Sequence, residues 1–515
     1  MIEGTVSSVI FQNEENGYTI LRLDVHGEEV TVVGPMAGTA PGESLSVRGR
    51  WTRHPTYGPQ MKAEVVDRRL PQSMKEIFHY LSSGVVKGVG KTTARNLIEE
   101  FGEEALTVIE ENPEQLTKIK GITKKRAWQI GEVFRQQMGA RRLMEFLTEH
   151  QLPLELAGLL RRAYGDVALE LVKANPYLLV NEEFEVEFSQ ADKLALDLGV
   201  GAEDPLRLEA GLIFELAHNN YNNGHTFLPR RKLVEATSVL LEVAGELLED
   251  CLELLLRRGE AECENVAGQE AGYLPALHEA EAYIAHRILE MSRAELLPPQ
   301  GLDKLIRRIE KEQRISYAPQ QRSAVELAAN RQIMLLTGGP GTGKTTCLRG
   351  VLALFEMMGL DTALAAPTGR AAKRLGELCN TDASTIHRLL ETGFDPRTGK
   401  LVFPRNSYDP LKADAVIVDE TSMVDVPLMA ALLDALRDDC RLVLVGDPDQ
   451  LPSVGPGNLF ADLIRSQVVP TVRLTEIFRQ AAQSAIIRSA HLINQGEVPD
   501  LRRNEGDFFC LARRD

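Results

Sequence analysis

Cysteine is scarce and scattered: six residues in a chain of 515, with no Cys-x-x-Cys pair and no grouping with histidine. That pattern excludes a disulfide framework and a cysteine-based zinc site, and it fits thiols kept reduced in a cytosol. Long hydrophobic runs are also missing. Charge or glycine interrupts every apolar stretch before the ~18 residues that a membrane span requires, so no membrane association is expected. The opening residues Met1-Ile2-Glu3-Gly4-Thr5 offer no basic segment ahead of an apolar one, so no secretory signal is read there and a cytoplasmic protein is expected. Positive charge is in deficit, with a net charge of −16. Taken alone this counts against nucleic acid, because duplex binding depends on basic surface that displaces counterions. The distribution says more than the sum. Lys118 to Arg142 holds eight basic residues and one acid, Glu132, while acid gathers from Glu235 to Glu270. Composition therefore neither excludes nor demands a nucleic-acid partner.

What is present points to a multidomain chain. Hydrophobic residues at 43% and charged ones at 26% are ordinary for globular domains, and the length suggests about three to five of them. Residues 1–71 read as β: Tyr18 to Val25 nearly alternates and ends at the turn His26-Gly27. Leu45, Val47, Gly49 and Trp51 are expected on one face of a further strand, and Met61, Ala63 and Val65 on one face of the next. Short strands and glycine-rich turns in so few residues suggest an OB-like β-barrel. The loop from Arg53 to Gly58 offers basic and aromatic side chains that could stack a base, or it is an ordinary hairpin tip.

From residue 72 to 200 the period is helical. Gly88-Val89-Gly90-Lys91 sits between two helical stretches, and Gly121-Ile122-Thr123-Lys124-Lys125 takes the matching place downstream. A glycine turn that opens a helix presents free backbone N–H groups, which can hold a DNA phosphate without reading sequence. These turns resemble helix-hairpin-helix motifs, with Gly88, Gly90, Lys91, Gly121, Lys124 and Lys125 as candidate DNA contacts. The alternative is a tight turn that only packs helices. A second repeat links Phe101-Gly102 through Asn112-Pro113 with Tyr164-Gly165 through Asn175-Pro176. Residues 201–298 read as a mostly helical module, compatible with a winged helix, with a short strand at Gly272-Tyr273-Leu274-Pro275.

The sharpest motif lies further on. The buried-strand run Ile333 to Thr337 leads into Gly338-Gly339-Pro340-Gly341-Thr342-Gly343-Lys344-Thr345, and a helix follows from Thr346. This is the full phosphate-binding P-loop pattern. Gly338, Gly339, Gly341, Thr342, Gly343 and Thr346 would supply backbone N–H groups around the phosphates, with Pro340 shaping the loop; Lys344 would reach the β- and γ-phosphates, and Thr345 would ligate Mg²⁺. A second apolar strand, Ala415 to Val418, delivers Asp419-Glu420. Asp419 is assigned to the metal and Glu420 to activation of the attacking water. A third, Leu442 to Val445, opens into Gly446-Asp447-Pro448-Asp449-Gln450-Leu451-Pro452.

Asp419-Glu420-Thr421-Ser422-Met423 followed by Gly446-Asp447-x-x-Gln450-Leu451-Pro452 resembles the superfamily 1 helicases, and within them the RecD type in its long stand-alone form. The resemblance implies that Gln450 senses the γ-phosphate and that Gln321 reads adenine, so ATP and Mg²⁺ are the expected cofactors. It implies single-strand contacts at Pro367, Thr368, Gly369 and Arg370 and again at Thr385 and His387. His387 alone would more often be a packed or surface histidine; only its place in the set raises it. Leu474 to Gln480 resembles the motif whose arginine, here Arg479, touches the γ-phosphate. Residues 392–410 sit where the family places a strand-separating hairpin, and a plain loop fits equally well. The implied partners are single-stranded DNA and single-strand/duplex junctions. The implied protein tracks 5′ to 3′ as a monomer, works without RecB and RecC, and serves DNA repair or recombination.

The chain departs from that family at its end. Only 35 residues follow Gln480, whereas a second RecA-like domain needs on the order of 100 or more. The expected division is a 1–71 barrel, a 72–200 helix-hairpin-helix region, the 201–298 module, a 299–495 α/β RecA-like ATPase with a parallel sheet, and 496–515 as the start of a missing second RecA-like domain. A chain cut there is expected to bind Mg-ATP weakly and not to unwind DNA. The alternative reading is a DNA-binding adaptor in which ATP only switches conformation.

Overall fold

The computed structural model describes the chain except residues 14–17, 37–38, 55–57, 72, 85, 182, 396–400, 477–483, 501–506 and 510–515. It divides into two compact units, Met1–Gly201 and Ala202–Asp515.

The first unit opens with five strands: β1 (Ile2–Gln12), β2 (Tyr18–Val25), β3 (Glu28–Pro35), β4 (Ser44–His54) and β5 (Gly58–Arg69). They close into a barrel in the order β1-β2-β3-β5-β4, with only β3 and β5 parallel. Alternation sends Leu21 and Leu23 of β2 inward, where Val6, Val32, Leu45, Val47 and Met61 meet them. His26 and Gly27, both with positive φ, form the two-residue turn between β2 and β3, the type whose twist matches its strands. Gly4 and Gly49 mark close backbone approaches: a Cβ on Gly49 would lie 1.9 Å from the Lys62 carbonyl oxygen.

Two expected faces are broken here. Trp51 and Val65 are exposed, at 58% and 47%, although Met61 and Ala63 are buried. The pairing shifts between Arg48 opposite Val65 and Gly49 opposite Ala63, so Glu64 is an extra residue in β5. Such a bulge reverses which side chains point inward beyond it. Trp51 lies on the part of β4 that extends past its pairing with β1, which ends at Val47.

Helices follow: Met74–Ser82, Lys91–Phe101, Ala105–Glu111, the 26-residue Lys124–Glu149, Leu156–Tyr164, Ala168–Ala174 and Phe188–Asp197. The sequence repeat is a structural one. Gly102 (φ 57, ψ −132) and Gly165 (φ 64, ψ −140) end their helices in the same backbone state. Each leads through one 3₁₀ turn into a seven-residue helix stopped by Asn-Pro.

The second unit begins with the helices Pro205–Asn223, Arg230–Leu241 and Gly245–Arg258. A three-stranded antiparallel sheet joins them, β6 (Phe227–Pro229), β7 (Glu262–Val266) and β8 (Gln269–Tyr273), in the order β6-β8-β7. Helix, strand, two helices and a β-hairpin in that sequence make a winged-helix arrangement. The expected strand at Gly272 is the end of β8, and Pro275 opens the next helix, Pro275–Arg293, instead. Gly457 N–H donates to Gly224 O at 2.9 Å and ties this module to the sheet domain behind it.

That domain is built on six parallel strands: β9 (Ile333–Gly338), β10 (Thr362–Ala366), β11 (Ala383–Thr385), β14 (Ala415–Val418), β15 (Arg441–Gly446) and β16 (Thr471–Leu474). Their order is β11-β10-β14-β15-β9-β16. Successive residues feed opposite cores: Ile333 and Leu335 pack with Met429 and Leu432, while Met334 and Leu336 pack with Val351 and Phe355. Burial on both faces is why these strands read as unbroken apolar runs. Between β11 and β14, Gly393–Phe394 (β12) pairs antiparallel with Leu401–Val402 (β13); the expected turn Arg397-Thr398-Gly399 lies outside the described residues.

Candidate functional site

The described motifs that follow strands of the sheet domain emerge at one end of the sheet, because a parallel sheet presents every strand end on the same side. The pairing sets Ala366 beside Thr385, Ala365 beside Val418, Thr337 beside Gly446 and Gly338 beside Leu474. The residues that follow these ends are the expected motifs.

The loop after β9 turns through Gly341 (φ 78) and Gly343 (φ 85) into the helix Lys344–Met357. Positive φ at both favours glycine. Gly338 is needed for room as well: a Cβ there would meet Thr342 Oγ1 at 2.6 Å and Leu474 O at 2.8 Å. Thr342 Oγ1 donates to Gly339 O at 2.8 Å, and Lys344 Nζ donates to the carbonyls of Gly338 and Gly339. The backbone N–H groups at the start of this helix carry no side-chain cap, which leaves donors and partial positive charge for an anion. Behind the loop, Cys347 is fully buried and burial pushes its thiol up to about 12, so it is an inert packing residue.

At the end of β14, burial raises the Asp419 carboxyl above the usual range, against the pull of the Glu420 N–H, Lys344 and Arg374. Glu420 itself stands in left-handed backbone (φ 53, ψ 39), and its Oε2 is buried without a hydrogen-bond partner. Beyond β15, Asp447 is buried and its carbonyl accepts from Gln450 N–H at 3.1 Å, which holds the turn that carries Gln450.

A cleft of about 850 Å³ gathers these pieces. Its walls include Gln321, Gly339, Pro340, Gly341, Thr342, Gly343, Lys344, Thr345, Thr346, Asp419, Glu420 and Gln450. Gln321 is buried, and its Oε1 accepts from Ala318 N–H at 3.1 Å, so its amide nitrogen is the group left to face a base. Its neighbour Gln320 accepts from Thr475 N–H and donates to Thr475 Oγ1, fixing the start of the Arg479 motif. Arg479 lies outside the described residues. Thr345 and Asp419 are hard oxygen donors, the set that suits Mg²⁺. Among the described residues no group of three or more His, Cys, Asp or Glu could hold a metal ion by itself.

The cleft also holds residues that the motif reading missed: Ile315, Ser316, Arg374 and, from the helix Ala485–Asn494, Ile487. His491 of that helix approaches Gly339, and its Nε2 is buried without a partner. Arg374 stands one helical turn beyond Arg370 in a helix that starts at a motif, and the folded helix is what shows that it faces the cleft.

The two candidate single-strand contacts lie side by side after β10 and β11. Thr368 caps the helix Gly369–Cys379, its Oγ1 accepting from Ala371 N–H, and Thr385 caps Ile386–Leu389 through Arg388 N–H. Both hydroxyls thus serve their helices. Pro367 is half-buried, whereas Thr368, Gly369, Arg370 and His387 are exposed.

In the first unit the two hairpins match residue for residue. Val86 and Val89 are buried as Ile119 and Ile122 are, and Gly88 (φ 95) corresponds to Gly121 (φ 93). Val89 N–H bonds Val86 O as Ile122 N–H bonds Ile119 O. Gly90 and Thr123 stand at the N-caps of the following helices, and Arg126 Nη2 donates to Gly88 O at 2.9 Å across the pair. Gly88, Gly90, Lys91, Gly121, Lys124 and Lys125 are all exposed; Lys124 pairs with Glu114 at 3.3 Å.

Comparison with known proteins agrees with this plan. A family model for the OB-fold domain of the ATP-dependent DNA helicase YrrC matches residues 1–71, and one for a SAM-like helix-hairpin-helix tandem matches 78–135. The helix-hairpin-helix domain of the ATP-dependent RecD2 DNA helicase matches 136–227, and an AAA domain matches 316–507. The ATP-dependent RecD2 DNA helicase of Deinococcus radiodurans is 33% identical over 516 residues, covering 97% of this chain and 70% of that protein. The RecD subunit of the RecBCD enzyme of Mycolicibacterium smegmatis is 45% identical over 168 residues, 28% of this chain and 30% of that one. The same subunit of Haemophilus influenzae is 39% identical over 175 residues, covering 29% and 27%. With its barrel, helical hairpins and P-loop domain in this order, the chain belongs to the RecD2 family of ATP-dependent DNA helicases.

Proposed function

We propose that the protein binds Mg-ATP in the cleft at the end of the parallel sheet and uses its hydrolysis to track single-stranded DNA from 5′ to 3′, opening duplex ahead. The observation that carries this reading is the common wall shared by Gln321, the P-loop, Asp419, Glu420 and Gln450. In it Lys344 leaves the loop carbonyls for the β- and γ-phosphates, and Thr345 with Asp419 holds Mg²⁺, which offsets phosphate charge. Glu420 takes the proton of the attacking water; its buried, unpartnered Oε2 is the oxygen for that work. Gln450 orients toward the γ-phosphate, Gln321 toward adenine, and Arg479 supplies a further charge to the transferring group. Pro367 to Arg370, Thr385 and His387 grip one strand, while the two hairpins hold backbone phosphate.

The antiparallel β12–β13 pair, with Phe394 exposed, favours a strand-separating hairpin over a plain loop. Coverage of 97% by a RecD2 relative, against 28% by a RecD subunit of RecBCD, favours work without RecB and RecC partners. Duplexes with a 5′ or a 3′ single-stranded tail, unwound in the presence of Mg-ATP, test the reading. Strand release only from the 5′-tailed substrate is expected of a chain that includes a second RecA-like domain, and none of one that stops at Asp515; release from the 3′-tailed one alone sinks the polarity. An ATPase that DNA does not stimulate would favour the ATP-switched adaptor instead.

A further inference from the structure

One charged residue of the nucleotide cleft has no part in the roles assigned so far. Arg374 lines the cleft with Lys344, Asp419 and Glu420, and it forms no ion pair among the described residues. A nucleoside triphosphate brings roughly four negative charges, and Lys344 with one helix N-terminus offsets only part of them. A second, uncommitted guanidinium in the same cleft meets that need, since its fork matches phosphate oxygens.

The helix that carries Arg374 gives the residue its further meaning. In Gly369–Cys379, Ala371, Arg374, Leu375 and Leu378 all line the cleft, which is one stripe at helical spacing. Leu375 and Ala372 are buried, so the stripe rests on a packed base. The first turn of the same helix holds Thr368, Gly369 and Arg370, exposed at the end of β10. Arg370 and Arg374 are one turn apart, about 6 Å along a stiff rod. Whatever shifts Arg374 shifts the strand-facing turn with it.

We propose that Arg374 engages the terminal phosphate of bound ATP and thereby couples the nucleotide state to the single-strand contact at the start of its own helix; this rests on the nucleotide and single-strand assignments above. A structural role, in which Arg374 merely offsets Asp419 and Glu420, predicts equal effects on ATP and ADP. The coupling role predicts unequal ones, and linkage requires DNA and nucleotide to influence each other by the same factor.

The test titrates the full chain with fluorescent ATPγS and ADP, with and without oligo(dT). Arg374→Ala and the uncharged but polar Arg374→Gln should weaken ATPγS about tenfold, the loss of one charge-assisted contact, and leave ADP within about twofold. The effect of oligo(dT) on ATPγS affinity should vanish in both, with part of it restored in Arg374→Lys. Lys373→Ala, on the exposed side of the same helix, should match wild type. Melting curves identify any variant that has lost its fold, and Arg374→Gln then decides. Equal weakening of both nucleotides, or a preserved oligo(dT) effect, overturns the proposal. Lys344→Ala keeps the two failures apart: if it leaves both nucleotides unaffected, the cleft itself has been misread.

Discussion

In the cleft at the edge of the parallel sheet, separate loops each deliver a different side chain to one cavity, whereas the two hairpins of the first unit offer the same backbone turn twice. The contrast follows from the tasks. Transferring a phosphoryl group needs a cation, a metal-holding oxygen and a base at different points around one phosphorus, so no residue can substitute for another. Holding a DNA backbone needs N–H groups and nearby charge with no preference for sequence, so copies suffice and each contributes modestly. Loss in the cleft should therefore be steep, and loss in the hairpins graded.

The largest expected effect tests the steep side. Glu420→Gln and Lys344→Ala should each lower DNA-stimulated phosphate release by at least about 100-fold, with nucleotide still bound by Glu420→Gln. Steady-state hydrolysis reads this directly, and activity above a tenth of wild type in either variant would break the comparison. Next comes the graded side. Lys124→Ala with Lys125→Ala should weaken DNA binding only moderately and lower the slope of log K against log salt by about one to two. Fluorescence anisotropy at several salt concentrations measures the slope; an unchanged slope would remove these lysines from the contact. The smallest effect sharpens the idea of duplication. Gly88→Ala and Gly121→Ala each force a side chain into positive φ, at roughly 1–2 kcal/mol. Equal shifts in denaturant midpoint are expected, since a Cβ on Gly121 meets nothing within 4 Å and one on Gly88 makes only ordinary contact with Ile130.

The same contrast explains what could be read in the sequence. The P-loop, Asp419-Glu420 and Gln450 announce themselves because their chemistry fixes residue type at fixed positions on recognisable strands. The hairpins show through glycine and repetition, since their working atoms are main-chain and leave no side-chain signature. Three features escaped for physical reasons. The exposure of Val65 depends on one extra residue in β5 and that of Trp51 on where the pairing of β4 with β1 ends; alternation along one strand shows neither. Of the winged sheet, which the sequence allows, only the end of one strand is legible there, because strands of three and five residues are too short to carry a period. Arg374 reaches the cleft from a helix whose motif ends four residues earlier, so only the folded helix reveals which face it shows.

Glu420 is the one carboxylate of the cleft held in left-handed backbone, with a buried oxygen left unsatisfied. Both conditions cost folding free energy, on the order of 1–2 kcal/mol for the backbone alone. The domain therefore works against its own durability at the position proposed for the activation of water. Glu420→Gly should melt at or above the wild-type temperature, part of the gain being offset by glycine's freedom in the unfolded chain, while hydrolysis is lost. A lower melting temperature would show that the glutamate is a prop as well as a tool. Selection for thermal endurance alone would discard this residue first; on the role proposed for it, its presence answers a demand for turnover rather than for persistence.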